Sequence, residues 1–370
     1  MLQIPVRKIL RKCKNMICRP TPTAYIPRPL FAAERTDLKQ TLLVACARSF
    51  YQDANNAGTL LQEGFARGWS KECGPAKLVS IDQLMKEIEL HDNPAVFMSS
   101  YEFDHLTYAE SKKLRKVNLF VFVCMHPRAN KMYEQKVLGA NEMPDSEVWL
   151  SSYGKIVMAE PKFVWNASGA AGMEWFQGWI DDGFHWETIY PAADLSRYFP
   201  EPALERFGHI KMAYVGGYWP EKAQGFDLYL RPWEEILVPF GYAVWPYKNY
   251  AGKLDEQGER QLYSSAGLIP LVTSPWGWMM AEITERYLKA PACAGFCIAD
   301  QNPALREIYT PDEMLQAETP EQFHQLVRDL LAGKIDRAGW SLKGYKAVLE
   351  RHTYAHRAIQ IKNALKTITG

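Results

Sequence analysis

The stretch from Pro94 to Met125, "PAVFMSSYEFDHLTYAESKKLRKVNLFVFVCM", holds the pattern that decides the fold class. It contains two apolar runs of strand length, 94–100 and 118–125, and the segment 108–116 between them has the composition of a helix. Short apolar runs that alternate with helices are typical of a parallel sheet covered on both faces. We therefore predict a β–α–β unit and an α/β fold.

The same alternation extends through the rest of the first half. Apolar runs predict four further strands, at 41–47, 76–81, 155–159 ("KIVMA") and 162–168 ("KFVWNAS"). Helices are predicted from about Ala57 to Arg67 and over "SIDQLMKEIEL" (80–90).

The alternation begins again after Pro191. Strands are predicted at 209–217, 242–246, 268–274 and 295–300. Helices are predicted over 226–239, 256–267 and 279–292, and the chain is predicted to be helical from Pro320 onward. Two consecutive α/β halves, joined near residues 190 to 205, are the simplest architecture that gives this order.

Two such halves suggest a cleft between them, because ligands of open α/β sheets bind at the carboxyl ends of strands, where the strand order reverses. The predicted division is a basic N-terminal segment with a linker, two α/β domains and C-terminal helices, at 1–40, 41–190, 191–340 and 341–370.

The composition excludes several classes of protein. Of the 370 residues, 47% are apolar and 23% charged, which is ordinary for a soluble globular enzyme. Lys plus Arg number 43 and Asp plus Glu 42, so no overall positive field exists to hold a nucleic acid, and such a partner is not expected.

The seven cysteines indicate a reducing compartment, since their number is odd and several lie in apolar runs, so a cytoplasmic protein is predicted. The cysteines lack the spacing of a zinc site, and no metal site is predicted. The longest apolar stretch, from Ala266 to Met280, is interrupted by Pro270 and Pro275 and does not fit a membrane-spanning helix.

The start of the chain is strongly basic, with no acidic residue before Glu34. If residues 1–20 form a helix, apolar side chains from Val6 to Ile17 fall on one side and basic side chains cover the other. Such a helix suits peripheral contact with an anionic membrane. The alternative is a solvated, disordered tail.

The segment "YVGGYWPEK" places Gly216 and Gly217 directly after a predicted strand. Glycine allows the backbone to approach a ligand closely, so a phosphate could lie on backbone N–H groups here, with Lys222 adding a positive charge. The alternative is a tight turn with a solvated lysine.

The predicted helix 279–292 carries further charges. Arg286 and Lys289 are each four residues after a glutamate, Glu282 and Glu285, which also fits surface salt bridges. The preceding loop, Ser274 to Trp278, contains Pro, Gly and two Trp residues, which could stack on a flat ring and surround a phosphate, or could be part of the core.

Three motifs in the second half, "VGGYWPEK", "ERYLKAPACAGFCIAD" and "HTYAHR" (352–357), resemble the glycosyltransferase group 1 proteins of the spore-maturation-protein-like branch. The segment "IYPAADLSRYFP" (189–200) resembles the family's linker. The resemblance covers residues 189 to 362 and is only architectural over 41 to 188. It implies the GT-B fold, in which two Rossmann-like domains face each other across a cleft.

The resemblance also implies transfer of a sugar from a nucleotide-activated donor, bound mainly by the second domain, to an acceptor held by the first. The family's glycine turn and following lysine contact the donor diphosphate, which here are Gly216, Gly217 and Lys222. The full set of candidate donor-binding residues is Gly216, Gly217, Lys222, Ser274, Gly277, Glu285, Arg286 and Lys289.

Lys289 departs from the family, which usually has there a glutamate that holds the donor ribose. A lysine cannot accept those hydrogen bonds, so either Glu285 replaces that glutamate, or the donor is held differently, or donor binding has been lost. No Asp-x-Asp triplet is present, and no metal or other cofactor is expected, since Lys222, backbone N–H groups and helix dipoles would stabilise the leaving diphosphate.

The base that activates the acceptor is expected in the first domain, in a loop after a strand. Candidates are Asp104, in a loop with Glu102 and His105, and His126. Asp104 is preferred over His126, because its carboxylate could also orient His105. The alternatives are helix capping for Glu102 and Asp104 and a turn residue for His126.

The C-terminal "HTYAHR" cluster is expected to serve packing and capping rather than chemistry. The leading functional hypothesis is a metal-independent glycosyltransferase of surface polysaccharide or glycolipid assembly, with a saccharide or lipid-linked acceptor. Glycosylation of modified bases in DNA and non-catalytic binding of a sugar nucleotide are the alternatives.

Overall fold

We describe a computed structural model of the chain, which covers residues 31–35, 37–46, 57–129, 146–241 and 245–369. The predicted basic helix over residues 1–20 lies outside the described residues, as does much of the predicted strand 242–246. Within these ranges, the helices are either too short or too polar to cross a membrane.

The first half forms a parallel sheet of six described strands, in the order β2-β1-β3-β4-β5-β6. The strands are β1 (Leu42–Cys46), β2 (Ala76–Ser80), β3 (Ala95–Ser99), β4 (Asn118–Phe122), β5 (Phe163–Asn166) and β6 (Trp186–Thr188). The helices are α1 (Ala57–Glu72), α2 (Leu84–Glu89), α3 (Tyr108–Lys113), α4 (Ser146–Ala159) and α5 (Gln177–Asp181). Alternate strand residues, such as Val96 and Phe97, are buried in two different clusters, so the sheet is covered on both faces.

The second half contains a two-stranded and a three-stranded parallel sheet. The strands are β7 (Met212–Val215), β8 (Leu237–Phe240), β9 (Ile269–Leu271), β10 (Cys297–Ala299) and β11 (Leu315–Gln316). A hydrogen bond from Ala213 N to Leu268 O, at 2.9 Å, joins the two sheets into one layer of order β8-β7-β9-β10-β11. Pro270, in the middle of β9, has no N–H to extend this pairing.

The second half and the C-terminal region hold nine further described helices. They are α6 (Glu205–Gly208), α7 (Pro220–Tyr229), α8 (Glu256–Ser265), α9 (Pro275–Met279), α10 (Arg286–Ala292), α11 (Leu305–Ile308), α12 (Pro320–Leu331), α13 (Arg337–Arg351) and α14 (Tyr354–Thr369). Short 3-10 helices occur at Ile81–Gln83, Glu102–His105, Leu114–Lys116, Pro127–Ala129, Ala170–Trp175 and Arg231–Trp233.

The last helix, α14, returns to the first half and packs on α1. A Cβ atom on Gly64 would lie 2.2 Å from the Tyr354 ring, and one on Gly68 would lie 2.2 Å from the Tyr354 carbonyl oxygen. The two glycines therefore allow the close approach of the helices, and the end of the chain completes the core of the first half.

The strand order reverses once in each half, between β1 and β3 and between β7 and β9. Ligands of open parallel sheets bind at such reversal points, beyond the carboxyl ends of the strands. A ligand site is therefore expected among the residues that follow β3 and β4 in the first half and β7 and β9 in the second.

The prediction of a strand at 155–159 is wrong, because these residues end helix α4. Ser152, Lys155, Ile156 and Ala159 are buried, at the three- and four-residue spacing of a helix face. A short apolar run does not distinguish a strand from the end of a helix. Here the packing of the buried face against the rest of the first half determined that these residues are helical.

Two predicted helices in the second half are also wrong in part. The helix predicted over 226–239 ends at Tyr229, and the apolar run Leu237–Phe240 forms β8, ahead of the strand predicted at 242–246. The helix predicted over 279–292 is broken, because α9 ends at Met279 and Ala281 has a positive φ of 50°. A left-handed residue cannot continue an α-helix.

Candidate active site

The glycine turn lies directly beyond the carboxyl end of β7, as predicted. Gly216 has a φ of +156°, and a Cβ atom there would lie 2.6 Å from Nη2 of Arg286. Its N–H donates to Phe240 O and its carbonyl oxygen accepts from Trp245 Nε1, so the backbone of Gly216 is used within the fold. Gly216 thus makes room for the guanidinium. Gly217 follows it in the turn and is buried next to the Trp219 ring.

Arg286 lies at the strand reversal of the second half. Its Nε donates to Val215 O at 2.8 Å and its Nη1 to Val272 O at 3.3 Å, so it joins the ends of β7 and β9. The guanidinium also lies 4.2 Å from the centre of the Tyr214 ring. The structure therefore places the Arg286 guanidinium at the glycine turn. Backbone carbonyl groups and the Tyr214 ring hold it there, and not a surface salt bridge to Glu282.

The loop 274–278 is organised by short hydrogen bonds. Ser274 caps α9, accepting from the N–H of Gly277 at 3.1 Å. Trp278 Nε1 donates to Asp300 at 2.6 Å, and Trp276 packs edge to face on Trp175 of the first half. Both indoles thus pack within the protein, which agrees with the core interpretation and not with stacking on a ligand.

Glu282 is the residue that the sequence interpretation missed. Its backbone forms a bridge with Ser168, just beyond β5, so a residue of the second half lies at the carboxyl edge of the first sheet. Burial raises the pKa of Glu282 and the nearby Lys222 charge opposes the rise. The pKa of Tyr101 is raised mainly by Cys124 and by burial, and that of Cys124 mainly by burial; the Glu282 charge adds a smaller contribution to both. The Glu282 carboxylate is therefore within electrostatic reach of Lys222 and of the loops after β3 and β4.

Glu285 and Lys289 do not face the glycine turn. They face the junction of α10 with the linker and α14. Lys289 Nζ pairs with Glu259 at 2.9 Å and lies 5.0 Å from the centre of the Tyr198 ring. Although burial opposes the charge, Glu259 raises the pKa of Lys289. Glu285 accepts from Tyr354 Oη at 3.0 Å.

The cavity that Glu285 and Lys289 line measures only about 10 Å³. A ribose ring does not fit in this cavity, so the arrangement does not favour direct contact of Glu285 or Lys289 with the ligand. The two side chains instead hold the helix that carries Arg286 against the linker and the C-terminal helix.

The first half has a cavity of about 140 Å³ beyond the carboxyl ends of β3 and β4. Asp104 lines it from the 3-10 turn Glu102–His105, and its carboxylate accepts a hydrogen bond from Ser152 on α4 rather than orienting His105. The cap of α3 is Thr107, in a capping box with Glu110, so the capping interpretation of Glu102 and Asp104 is wrong.

His126 is not available to a ligand. Its side chain is 3% exposed, Nε2 donates to Asp182 at 3.0 Å, and Nδ1 accepts from the N–H of Arg128 at 3.1 Å. Burial, together with the nearby Arg128 charge, lowers the pKa of His126 to about 4. The geometry contradicts His126 as the base and makes it a neutral residue that holds the loop after β4.

Residues 197–363 match the family described as glycosyl transferase-like. This match lies in the second half and the C-terminal helices. No curated protein matches the sequence.

Solved structures match the chain over almost its whole length. Sucrose-phosphate synthase from Thermosynechococcus elongatus is 9% identical, with a TM-score of 0.61, and the match covers 89% of this chain and 99% of that one. HepE from Anabaena, in complex with UDP-glucose, is 11% identical, with a TM-score of 0.58 and coverage of 89% and 100%. BGT from phage T4, in complex with UDP and Mn2+, is 9% identical, with a TM-score of 0.51 and coverage of 89% and 99%. The chain has the GT-B fold of these glycosyltransferases, as predicted.

The terminal histidine cluster, residues 352–357, serves packing, as expected. His352 Nε2 donates to Ile308 O at 2.7 Å, and Arg357 Nε donates to Tyr190 O at 2.8 Å. Arg357 Nη2 also donates to His352 Nδ1 at 3.0 Å. The cluster therefore ties the start of α14 to the second half and to the end of the first.

Among the described residues, no group of three or more His, Cys, Asp or Glu side chains is arranged to hold a metal ion. The Arg286 guanidinium lies at the glycine turn, and Lys222 follows the turn in the first turn of α7. Glu282 is in the same part of the site through its backbone contact with Gly277 O at 2.9 Å.

Proposed function

We propose that this protein transfers a sugar from a nucleotide diphosphate donor, bound at the glycine turn, to an acceptor in the cavity of the first half. The observation that carries the proposal is the position of Glu282. It belongs to the second half, near Lys222, yet its backbone pairs with Ser168 at the carboxyl edge of the first sheet. A sugar on a diphosphate held by Lys222 would therefore reach the acceptor cavity beside Glu282.

The donor diphosphate would lie against Lys222, the Arg286 guanidinium and the N–H of Gly217. These groups supply positive charge where negative charge develops on the leaving diphosphate, and stabilisation of this kind often contributes more to catalysis than any other effect. The presence of UDP-glucose in the HepE complex supports a uridine diphosphate sugar as the first donor to test. With two cations at the turn, we propose that transfer needs no metal.

On the acceptor side, Asp104 is the proposed base. It is exposed at the cavity and its carboxylate is held by Ser152. The acceptor oxygen would bond to the anomeric carbon, the bond from that carbon to the diphosphate would break, and Asp104 would take the hydroxyl proton. Glu282, between the two sites, would contact the sugar in transit.

The experiment is a thermal-shift titration with nucleotide sugars, followed by comparison of two lysine variants. Lys222→Ala should weaken binding of the best donor about 10- to 100-fold, the range for a hydrogen bond to a charged group. Lys211→Ala is the matched control. Lys211 is exposed and precedes the amino end of β7, whereas Lys222 lies beyond the carboxyl end of that strand. Equal effects of the two variants would remove Lys222 from the site.

Activity in excess EDTA tests the metal independence. Unchanged transfer activity supports the two-cation site. Loss of activity that added Mn2+ reverses contradicts it.

A non-catalytic sugar-nucleotide binder is the second candidate function. Lys289 stands where the resembled family has a glutamate, and it is held in an ion pair with Glu259. Donor binding without hydrolysis or transfer would favour that candidate.

We further propose that the acceptor is a saccharide or a lipid-linked molecule of surface polysaccharide or glycolipid assembly, and that residues 1–20 contact an anionic membrane. Each Lys or Arg near such a surface contributes about 1 kcal/mol, and salt weakens the contact. The test compares the full chain with one that begins at Phe31, which keeps the Phe31 bridge to Ala76. Equal sedimentation of both with phosphatidylserine vesicles would contradict the proposal.

A further inference from the structure

The cavity of the first half has mainly apolar walls. It is lined by Met125, Ile156, the rings of Tyr153 and Trp179, and at its polar end by Tyr101 and Asp104. Its volume of about 140 Å³ is close to that of a cavity of roughly 150 Å³ that holds one benzene molecule. It can therefore accommodate a single ring or a short alkyl group.

The polar atoms around this cavity are mostly engaged with one another. Cys124 Sγ donates to Tyr101 Oη at 3.2 Å, Ser100 Oγ donates to Cys124 Sγ at 3.6 Å, and Ser152 donates to Asp104. Trp179 Nε1 donates to Cys124 O at 3.1 Å, so its indole presents only carbon to the cavity.

These contacts bear on what the cavity can accept. A sugar ring bound there would lose the water around the hydroxyl groups that face the walls and find few replacement partners, which costs free energy for every unmade hydrogen bond. An apolar group loses no hydrogen bonds on entering. One hydroxyl, placed at the polar end, would find the Asp104 carboxylate.

We infer that the acceptor is an alcohol with an apolar group of about one ring in size, which fills this cavity and presents its hydroxyl to Asp104. This inference rests on the proposed transfer and decides between the two acceptor classes proposed above: it favours an acceptor whose hydroxyl is carried by an apolar group and disfavours a free saccharide. In the transfer, the alcohol oxygen bonds to the anomeric carbon, the electron pair of the broken bond leaves with the nucleotide diphosphate, and the proton passes to Asp104.

The test measures binding of benzyl alcohol to the full chain by ligand-observed NMR, with methyl glucoside as the saccharide probe. Benzyl alcohol should bind and methyl glucoside should not bind in the absence of donor. Met125→Trp, which places a larger side chain in the cavity, should weaken benzyl alcohol binding at least tenfold. Met125→Leu keeps a similar volume and should retain binding.

A second measurement needs no variant. In crystals soaked with 4-bromobenzyl alcohol, the anomalous signal of bromine should lie among Met125, Ile156 and Trp179. Bromine elsewhere only, or binding of methyl glucoside in preference to benzyl alcohol, would overturn the inference.

Donor binding is read separately by thermal shift with UDP-glucose and other nucleotide sugars. If benzyl alcohol binds in the cavity but every nucleotide sugar fails to bind, the proposed transfer fails while the apolar site remains. If a nucleotide sugar binds and is hydrolysed but benzyl alcohol does not bind, the inference alone fails.

Discussion

Asp104 and His126 follow neighbouring strands of the first sheet, and burial separates their possible roles. Asp104 is exposed at the cavity, whereas the His126 side chain is 3% exposed and both of its ring nitrogens have partners within the protein. A general base needs hydrogen-bond reach of the proton that it removes. Of these two groups, only Asp104 satisfies this condition.

Asp104→Asn should reduce turnover by about 10²-fold or more, the order that general base catalysis contributes, because an amide cannot take the acceptor proton. Donor affinity should stay nearly constant, since the donor is bound by the second half. The measurement is kcat with saturating donor and acceptor, together with the donor Kd.

The matched control for this prediction is Asp92→Asn, because Asp92 is exposed and precedes the amino end of β3, opposite to Asp104. It should leave turnover unchanged. Retention of most of the activity in Asp104→Asn would show that another group, or the donor itself, takes the proton.

At the level of elements, α10 carries Arg286 to the glycine turn and ends in an unusual cap. Ala294, just beyond the helix, has a positive φ of 53°, where helices commonly have glycine. Gly295 N donates to Ala290 O at 3.0 Å and Ala294 N to Pro291 O at 2.9 Å, which closes the helix end. The cap therefore stores backbone strain at a residue that has a Cβ atom.

Ala294→Gly should raise the free energy of unfolding by about 0.5–1 kcal/mol, since relief of the left-handed strain exceeds the entropy cost of glycine. Ala292→Gly, within the same helix, should lower it by about 1 kcal/mol or more. Urea unfolding midpoints measure both. A lower midpoint for Ala294→Gly would mean that its methyl contacts outweigh the strain.

At the level of the whole molecule, α13, α14 and the linker hold the two halves together. Arg67 of α1 pairs with Asp194 of the linker at 2.9 Å, and Tyr354 of α14 bonds Glu285 of α10. His352, between α13 and α14, is buried and neutral: burial, and then the Arg357 charge, lower its pKa to about 4. Protonation of this histidine would disrupt the junction.

Stability should therefore fall as the pH falls from about 6.5 to about 4. The unfolded chain takes up the His352 proton near pH 6.5, whereas the folded protein resists until about pH 4, so the contribution is complete above 6.5 and lost through this window. Its full size is on the order of 3 kcal/mol. His126, with a pKa also near 4, acts in the same direction.

The check is urea unfolding at pH 4.5 and 7.5, for the natural chain and for His352→Gln. Glutamine can donate to Ile308 and accept from Arg357 but does not titrate. The difference between the two pH values should be smaller in His352→Gln. An equal difference would assign the pH dependence to other groups.

The sequence by itself determined the α/β alternation, the two halves and the glycine turn, because these depend on local apolar runs and on one residue type that allows an unusual backbone. It also indicated Arg286 and Asp104 as candidates, since each follows a predicted strand or loop at a place where ligands bind. It misassigned 155–159 and 226–239, where short apolar runs are consistent with either a helix or a strand.

Only the tertiary structure decided what the charged groups do. Lys289 pairs with Glu259, 30 positions away, and Glu282 meets Ser168 of the other half. The reason is physical: a hydrophobic period is set by neighbours along the chain, whereas the partner and burial of a charge are set by which distant segments the packed sheets bring together. Packing between distant segments also separates His126 from Asp104. His126 is enclosed against the end of α5, whereas Asp104 lines a cavity.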